Sequence, residues 1–229
     1  SDDWARELEL GDVDSDGDLD LIIGYASSQA GVFWNDGMGQ FADSGQRLDR
    51  SGSSQISLGD VDGDHDLDAV ILRYGGSFAL FYNDGSGIFG DPVGFGSGIS
   101  NNYYGAEMGD LDRDGDLDIA IASYAARQSE VWLNDGNGRF DRVRPYLRSS
   151  RSHDLALADF DRDGDLDIFL ANDLGANTVW SNVEWAPTGV AVSQISGRTA
   201  DSLSPWLLVA LLFVIGVGFL WLRYHFIHQ

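Results

Sequence analysis

Four stretches of this chain repeat one pattern of alternating aspartates. They read "GDVDSDGDLDLIIG" from Gly11, "GDVDGDHDLDAVIL" from Gly59, "GDLDRDGDLDIAIA" from Gly109 and "ADFDRDGDLDIFLA" from Ala158. Their first aspartates, Asp12, Asp60, Asp110 and Asp159, lie 48, 50 and 49 residues apart. A second signature keeps the same phase: "FWNDGMGQF" from Phe33, "FYNDGSGIF" from Phe81 and "WLNDGNGRF" from Trp132, with a degenerate "WSNVEW" from Trp180. Two motifs on one period define a structural repeat. Such a unit buries its apolar face only by stacking on its neighbours, so the repeat restricts the fold more than any other feature.

Within a unit the periodicity is that of strands. "ELEL" and "SQISL" alternate apolar and polar residues on the way into the aspartate loop. "LDLIIGY" leaves it as a short apolar run rich in β-branched residues, the pattern of a strand buried on both faces. The Asn-Asp-Gly-x-Gly segment supplies residues that tolerate the positive φ of a tight hairpin. Four short antiparallel strands per unit describe a propeller blade. The predicted fold is all-β, a propeller-like array of four calcium-loop blades, either a closed four-bladed ring or an incomplete propeller, followed by one C-terminal transmembrane α-helix.

The four repeats, from about Trp4 to Glu184, resemble FG-GAP/VCBS repeats, the calcium-loop blades of integrin-α-type propellers. That resemblance implies calcium, up to four ions, and a role in protein recognition. Integrin-type propellers close with seven blades, whereas four are present here. Closure alone, an open arc and completion by another chain are all compatible with four, the lower end of the closed range of roughly 4–8 blades.

The aspartates explain themselves as ligands. Alternate residues of a tight loop turn their carboxylates onto one point, which cages a hard cation in oxygen. In the first loop Asp12, Asp14, Asp16 and Asp20 are the expected side-chain ligands, with the carbonyl of Asp18 between them. The equivalent sets are Asp60, Asp62, Asp64 and Asp68 with Asp66; Asp110, Asp112, Asp114 and Asp118 with Asp116; and Asp159, Asp161, Asp163 and Asp167 with Asp165. Gly17, Gly115 and Gly164 allow the sharp bend, but His65 stands at that position in the second loop. Backbone strain at His65 predicts that the second site is the weakest or most distorted. An EF-hand would need an acid at the twelfth loop position, where this chain has Ile23, Ile71, Ile121 and Leu170. Magnesium fits less well because it demands stricter octahedral geometry. Without a cation the crowded carboxylates would repel one another, so calcium is expected to act as a structural staple.

Charge narrows the partners. Asp+Glu number 37 against 14 Lys+Arg, all of them Arg, for a net charge of -23. A nucleic-acid partner, which needs a basic footprint, is excluded. Five arginines gather in "RFDRVRPYLRSSR" from Arg139 to Arg151; this reads as a solvated connection between blades, with a docking surface for an acidic partner or lipid headgroups as the alternative. There is no Cys, hence no disulfide framework. The histidines, His65, His153, His225 and His228, form no zinc or triad signature, and no nucleophile elbow occurs. The chain is therefore not expected to be an enzyme.

Residues 1–185 are read as the repeat domain, 186–203 as a linker, 204–222 as the transmembrane helix and 223–229 as a short cytoplasmic tail. The run "WLLVALLFVIGVGFLWL" from Trp206 to Leu222 carries no charge, and its seventeen residues span roughly 25 Å as a helix. Trp206, Trp221 and Tyr224 mark its ends, where amphipathic rings favour the headgroup region. The chain opens on Ser1 with no charged-then-apolar leader, the form expected of a mature or trimmed protein. Calcium loops of extracellular modules bind at about 10⁻⁴–10⁻³ M, which places the blades on the extracytoplasmic side, periplasmic or extracellular. The leading expectation is an accessory or scaffold subunit of a larger membrane complex, partnered by the bilayer and by other protein subunits. A cell-surface adhesion or recognition protein is the alternative, and an enzyme built on a propeller scaffold is the third.

Overall fold

In the computed structural model, which describes residues 3–49, 52–73, 77–95, 103–124, 128–143, 147–148, 151–182 and 192–194, each aspartate loop joins the first two strands of an antiparallel meander. The first sheet is β1 (Ala5–Gly11), β2 (Asp20–Tyr25), β3 (Ala30–Asn35) and β4 (Phe41–Leu48). The second is β5 (Ser53–Gly59), β6 (Asp68–Arg73), β7 (Phe78–Phe81) and β8 (Val93–Phe95). The third is β9 (Tyr103–Gly109), β10 (Asp118–Ser123), β11 (Gln128–Asn134) and β12 (Phe140–Arg142), with β13 (Leu147–Arg148) also on β11. The fourth is β14 (Ser152–Ala158), β15 (Asp167–Asn172), β16 (Thr178–Asn182) and β17 (Val192–Gln194). Spatial order follows chain order in every sheet, which is the meander of a propeller blade.

Register repeats as faithfully as sequence. Gly11 pairs with Asp20, Gly59 with Asp68, Gly109 with Asp118 and Ala158 with Asp167, so each loop begins and ends on a paired position. The sheets stack as a series through three apolar clusters, one between each consecutive pair. Ile22 and Val32 meet Ile71 and Phe81 in the first; Leu80 and Phe78 meet Ile121 and Trp132 in the second; Val131 meets Leu170 and Trp180 in the third. Phe78 and Trp132 stack edge to face at 5.4 Å, the arrangement ring quadrupoles favour.

Two findings revise the expectations from sequence. The apolar strand after each loop was expected to be covered on both faces, and β6 and β10 are, but β2 alternates buried and half-buried. Among the described residues no cluster joins the fourth sheet to the first, so one face of β2 lacks a covering sheet. The linker expected over 186–203 overlaps β17, which pairs with β16 through Asn182 and Val192 as the fourth strand of its blade. Sequence missed it because the Asn-Asp-Gly turn that announces this strand elsewhere has lost its glycines there.

The segments expected to be the transmembrane helix, 204–222, and the tail, 223–229, lie outside the described residues. Among those described, no helix is long and apolar enough to cross a membrane. In the arginine-rich connection, Arg142 lies 3.3 Å from Glu130 and over the Trp132 ring, and Arg151 lies over the Tyr124 ring. Those two cations are engaged within the blades.

Candidate metal centre

Each loop bends through two left-handed residues and folds its aspartates back onto its own backbone. Asp12 accepts hydrogen bonds from Asp16 N (3.0 Å) and Gly17 N (3.0 Å). The same first-position role falls to Asp60, Asp110 and Asp159. The result is four clusters, Asp12/Asp14/Asp20, Asp60/Asp62/Asp68, Asp110/Asp112/Asp118 and Asp159/Asp161/Asp167, whose ligand oxygens lie within 4.8 Å of one another. Three of the four expected side-chain ligands per loop thus converge.

The fourth, and the aspartate expected to offer its backbone carbonyl, have their side chains outside the cluster. Asp16, Asp64, Asp114 and Asp163 turn one oxygen to the backbone N–H two residues on, that of Asp18, Asp66, Asp116 and Asp165. This Asx-type turn engages one oxygen of the carboxylate locally. Asp18, Asp66 and Asp116 lean on the hairpin turn of their own blade, leaving no room for a side chain there; a Cβ on Gly136 would come within 2.5 Å of Asp116 Oδ2. The two sequence signatures share a period because they touch.

The ninth-position aspartates are struts as well as members of the clusters. Asp118 is fully buried, and its two oxygens accept from Leu111 N (2.8 Å) and Asn134 N (2.9 Å). Asp20, Asp68 and Asp167 bind the matching pairs, at Val13 and Asn35, Val61 and Asn83, and Phe160 and Asn182. Each therefore ties its loop to the asparagine of the second motif. From its sequence context that asparagine reads as a turn residue only. Its amide in fact reaches the preceding blade: Asn83 Nδ2 donates to Val13 O (2.7 Å), Asn134 Nδ2 to Val61 O (2.7 Å) and Asn182 Nδ2 to Leu111 O (2.5 Å). The signal was legible, since Asn182 survives in the degenerate fourth copy.

The electrostatics ask for a cation. Burial, opposed by the two backbone hydrogen bonds, pushes Asp118 up to about 7 and Asp68 to about 6, and nearby loop carboxylates add to both. Burial also raises Asp14, Asp62 and Asp112, again with help from neighbouring aspartates. One buried oxygen in each of the first three clusters, Oδ1 of Asp14, Asp62 and Asp110, has no hydrogen-bond partner. An orphaned carboxylate oxygen in a crowded acidic cluster is what a hard divalent cation would satisfy. The residues present fit such an ion.

The second loop is not the distorted one. His65 is left-handed (φ 77°), but the other left-handed position of that loop is Gly63 (φ 79°). Elsewhere the glycine holds the later position, as Gly17 does, and a side-chain residue, Ser15, Arg113 or Arg162, holds the earlier one. Every loop therefore carries one strained non-glycine residue, and the second forms its cluster like the rest. The outlier is the fourth. Asp159 and Asp161 are exposed, whereas Asp12, Asp14, Asp60 and Asp62 are half-buried. In the first loop the turn of the next blade provides the cover: a Cβ on Gly87 would lie 3.1 Å from Asp14 Cβ.

Comparisons with known proteins bear on the repeat and on the fold. A family model described as FG-GAP-like repeat matches residues 12–71, 60–121 and 114–170. No curated protein matches the chain significantly. Among solved structures, the chain is similar to an Agrocybe aegerita lectin that recognises non-reducing terminal N-acetylglucosamine, at 20% identity and a TM-score of 0.57. That alignment covers 81% of this chain and 50% of the lectin, so the chain spans about half the lectin's length. A Photorhabdus luminescens Tc holotoxin pore is also similar, at 22% identity and a TM-score of 0.47, over 76% of this chain and 9% of that one.

Proposed function

The chain belongs to the FG-GAP-like repeat family, and we propose that it is a calcium-stapled, propeller-like interaction module that presents rigid loops to other proteins at the outer face of a membrane. The observation that carries the reading is the fourfold recurrence of a three-carboxylate cluster, three copies of which hold a buried oxygen without a partner. Calcium would be held by Asp12, Asp14 and Asp20 and by their equivalents in the other loops. When bound it supplies positive charge and oxygen coordination, so the carboxylates can stay ionised side by side.

The remaining elements rest on sequence. The uncharged run 206–222 supports a single-pass anchor, and loops of this class work at calcium levels found outside the cytosol. A rigid blade array on one tether suits an accessory or scaffold subunit of a larger membrane complex. The test is gentle detergent extraction of the native membrane in calcium, followed by sizing and mass spectrometry. Other subunits that accompany the chain in fixed ratio support the scaffold role. Recovery of this chain without other subunits refutes it and favours surface recognition.

A further inference from the structure

A relay of hydrogen bonds runs through the four loops without a break. Val13 N donates to Asp20 Oδ2 (3.1 Å), and Val13 O accepts from Asn83 Nδ2 (2.7 Å) of the next blade. Asn83 N donates to Asp68 Oδ1 (2.9 Å), whose Oδ2 accepts from Val61 N (3.1 Å). Val61 O then accepts from Asn134 Nδ2, and Asn134 N donates to Asp118. Asp118 also accepts from Leu111 N, and Leu111 O accepts from Asn182 Nδ2. The last link is Asp167, which accepts from both Asn182 N and Phe160 N.

The relay passes through every candidate ion site. Val13 stands between Asp12 and Asp14, and Asp20 completes that cluster; Asp68, Asp118 and Asp167 belong to the next three. The four aspartates and the three bridging asparagines are all buried, so water does not compete for these bonds. In such low-dielectric surroundings each bond polarises the next. Asn83 and Asn134 each donate to two carbonyls, one in each of two successive loops. Their Oδ1 atoms are left buried without a partner. That orphaned acceptor is costly, so the amides are oriented by the two loops they join. Other polar contacts between blades, such as Gln46 with Gly87 O and Tyr82 with Gly138 O, are made at one junction each. The asparagine bridge recurs at all three.

We propose that this relay couples the four loops, so that calcium fills them cooperatively rather than one by one. The inference rests on the calcium reading above and adds the regulation of those sites. When Asp12 and Asp14 close on an ion, the Val13 peptide between them is fixed, with Asp20 holding its N–H. The Val13 carbonyl then fixes the Asn83 side chain, and Asn83 in turn holds Asp68 and Leu67 O of the second loop. That loop is already ordered when its own ion arrives and loses less conformational entropy, which is positive cooperativity. Repulsion between the ions opposes the effect, but at about 0.15 M salt the Debye length is only about 8 Å. The three carboxylates of each cluster offset the charge of its ion further.

The test is calcium titration of the full chain, purified in detergent at that salt, followed by backbone amide resonances. Gly63 N and Gly164 N donate to the first aspartate of their own loops, Asp60 and Asp159, and so report loops two and four separately. Asp112→Asn silences the third site but keeps the oxygen that accepts from Asp114 N. It is expected to weaken calcium at both reporter loops by about fivefold or more, the lower end of couplings between sites. Adding Asn134→Ala cuts the link between loops two and three. Loop two then ignores Asp112→Asn, while loop four, still joined through Asn182, responds. A misfolded chain could not lose one response and keep the other. Should Asn134→Ala fail to fold, Asn182→Ala makes the mirror test, in which loop four becomes indifferent and loop two responds. Loops that bind calcium but ignore Asp112→Asn overturn the coupling and leave the calcium reading intact. A loop-two response that survives Asn134→Ala does the same. A chain in which no loop binds calcium overturns both.

Discussion

Asp118→Ala separates the two tasks of a ninth-position aspartate, because the strut works without metal and the ligand does not. The side chain is fully buried and accepts from two backbone donors, Leu111 N and Asn134 N. Truncation leaves both N–H groups without an acceptor, at about 1–3 kcal/mol each, so the loss is about 2–6 kcal/mol. For a domain of this size 1 kcal/mol moves Tm by about 2–4 °C, giving a fall of roughly 4–24 °C. The assay is urea unfolding in excess chelator, above about pH 8 so that Asp118 is ionised despite its raised pKa of about 7. The control is Asp114→Asn, which keeps the oxygen that accepts from Asp116 N on an exposed side chain. It should stay within about 0.5 kcal/mol of the unaltered chain. If Asp118→Ala and the unaltered chain share one midpoint in chelator, Asp118 is a ligand only and the strut argument is wrong.

Calcium itself should stabilise the chain: at ten times its dissociation constant each site adds about 1.4 kcal/mol, or about 5–6 kcal/mol for four, and a Tm unchanged by chelator would refute the staple. His65→Gly should raise stability by about 1 kcal/mol, since glycine occupies φ 77° without the side-chain clash; a loss would mean that the His65–Asp60 contact at 3.4 Å outweighs the backbone term. The inner-strand acids predict the pH response in saturating calcium. Burial first, then Glu9 and Asp154, pushes Glu7 up to about 7; burial, opposed by the Leu157 N–H, takes Glu107 to about 6. The folded chain holds protons there that the unfolded chain releases above about 4.5. That stability is therefore complete below about 4.5 and disappears as pH rises through 6–7. Tm should fall from about pH 5 to pH 8, and less so in Glu107→Gln; a flat or rising profile in the unaltered chain would contradict this.

Much of this protein was legible as text. The period of the two motifs fixed four meanders, because a unit with one apolar face and one tight hairpin has few ways to fold. Alternating aspartates around a glycine bend identified the clusters, since alternate side chains of a tight loop converge. Period alone could not say which aspartates converge. Asp16 and its equivalents lie outside the converging sets, each with one oxygen accepting from the backbone N–H two residues on, an arrangement of the traced loop that spacing does not encode. The sequence also misdirected attention to His65, because Gly63 supplies the second left-handed position only once the loop is traced in space.

What the sequence determined by itself is everything that repeats: blade, loop, hairpin and the acidic character of the sites. What only the tertiary structure decided is which copies of a repeated position are covered by a neighbour. Identical positions such as Leu10 and Leu58 differ in burial because one has a blade packed against it and the other does not. Asn35 and Asn83 differ in partners for the same reason. Burial and hydrogen bonding are properties of neighbours in space, and a repeat written in sequence is silent about which neighbour each copy meets.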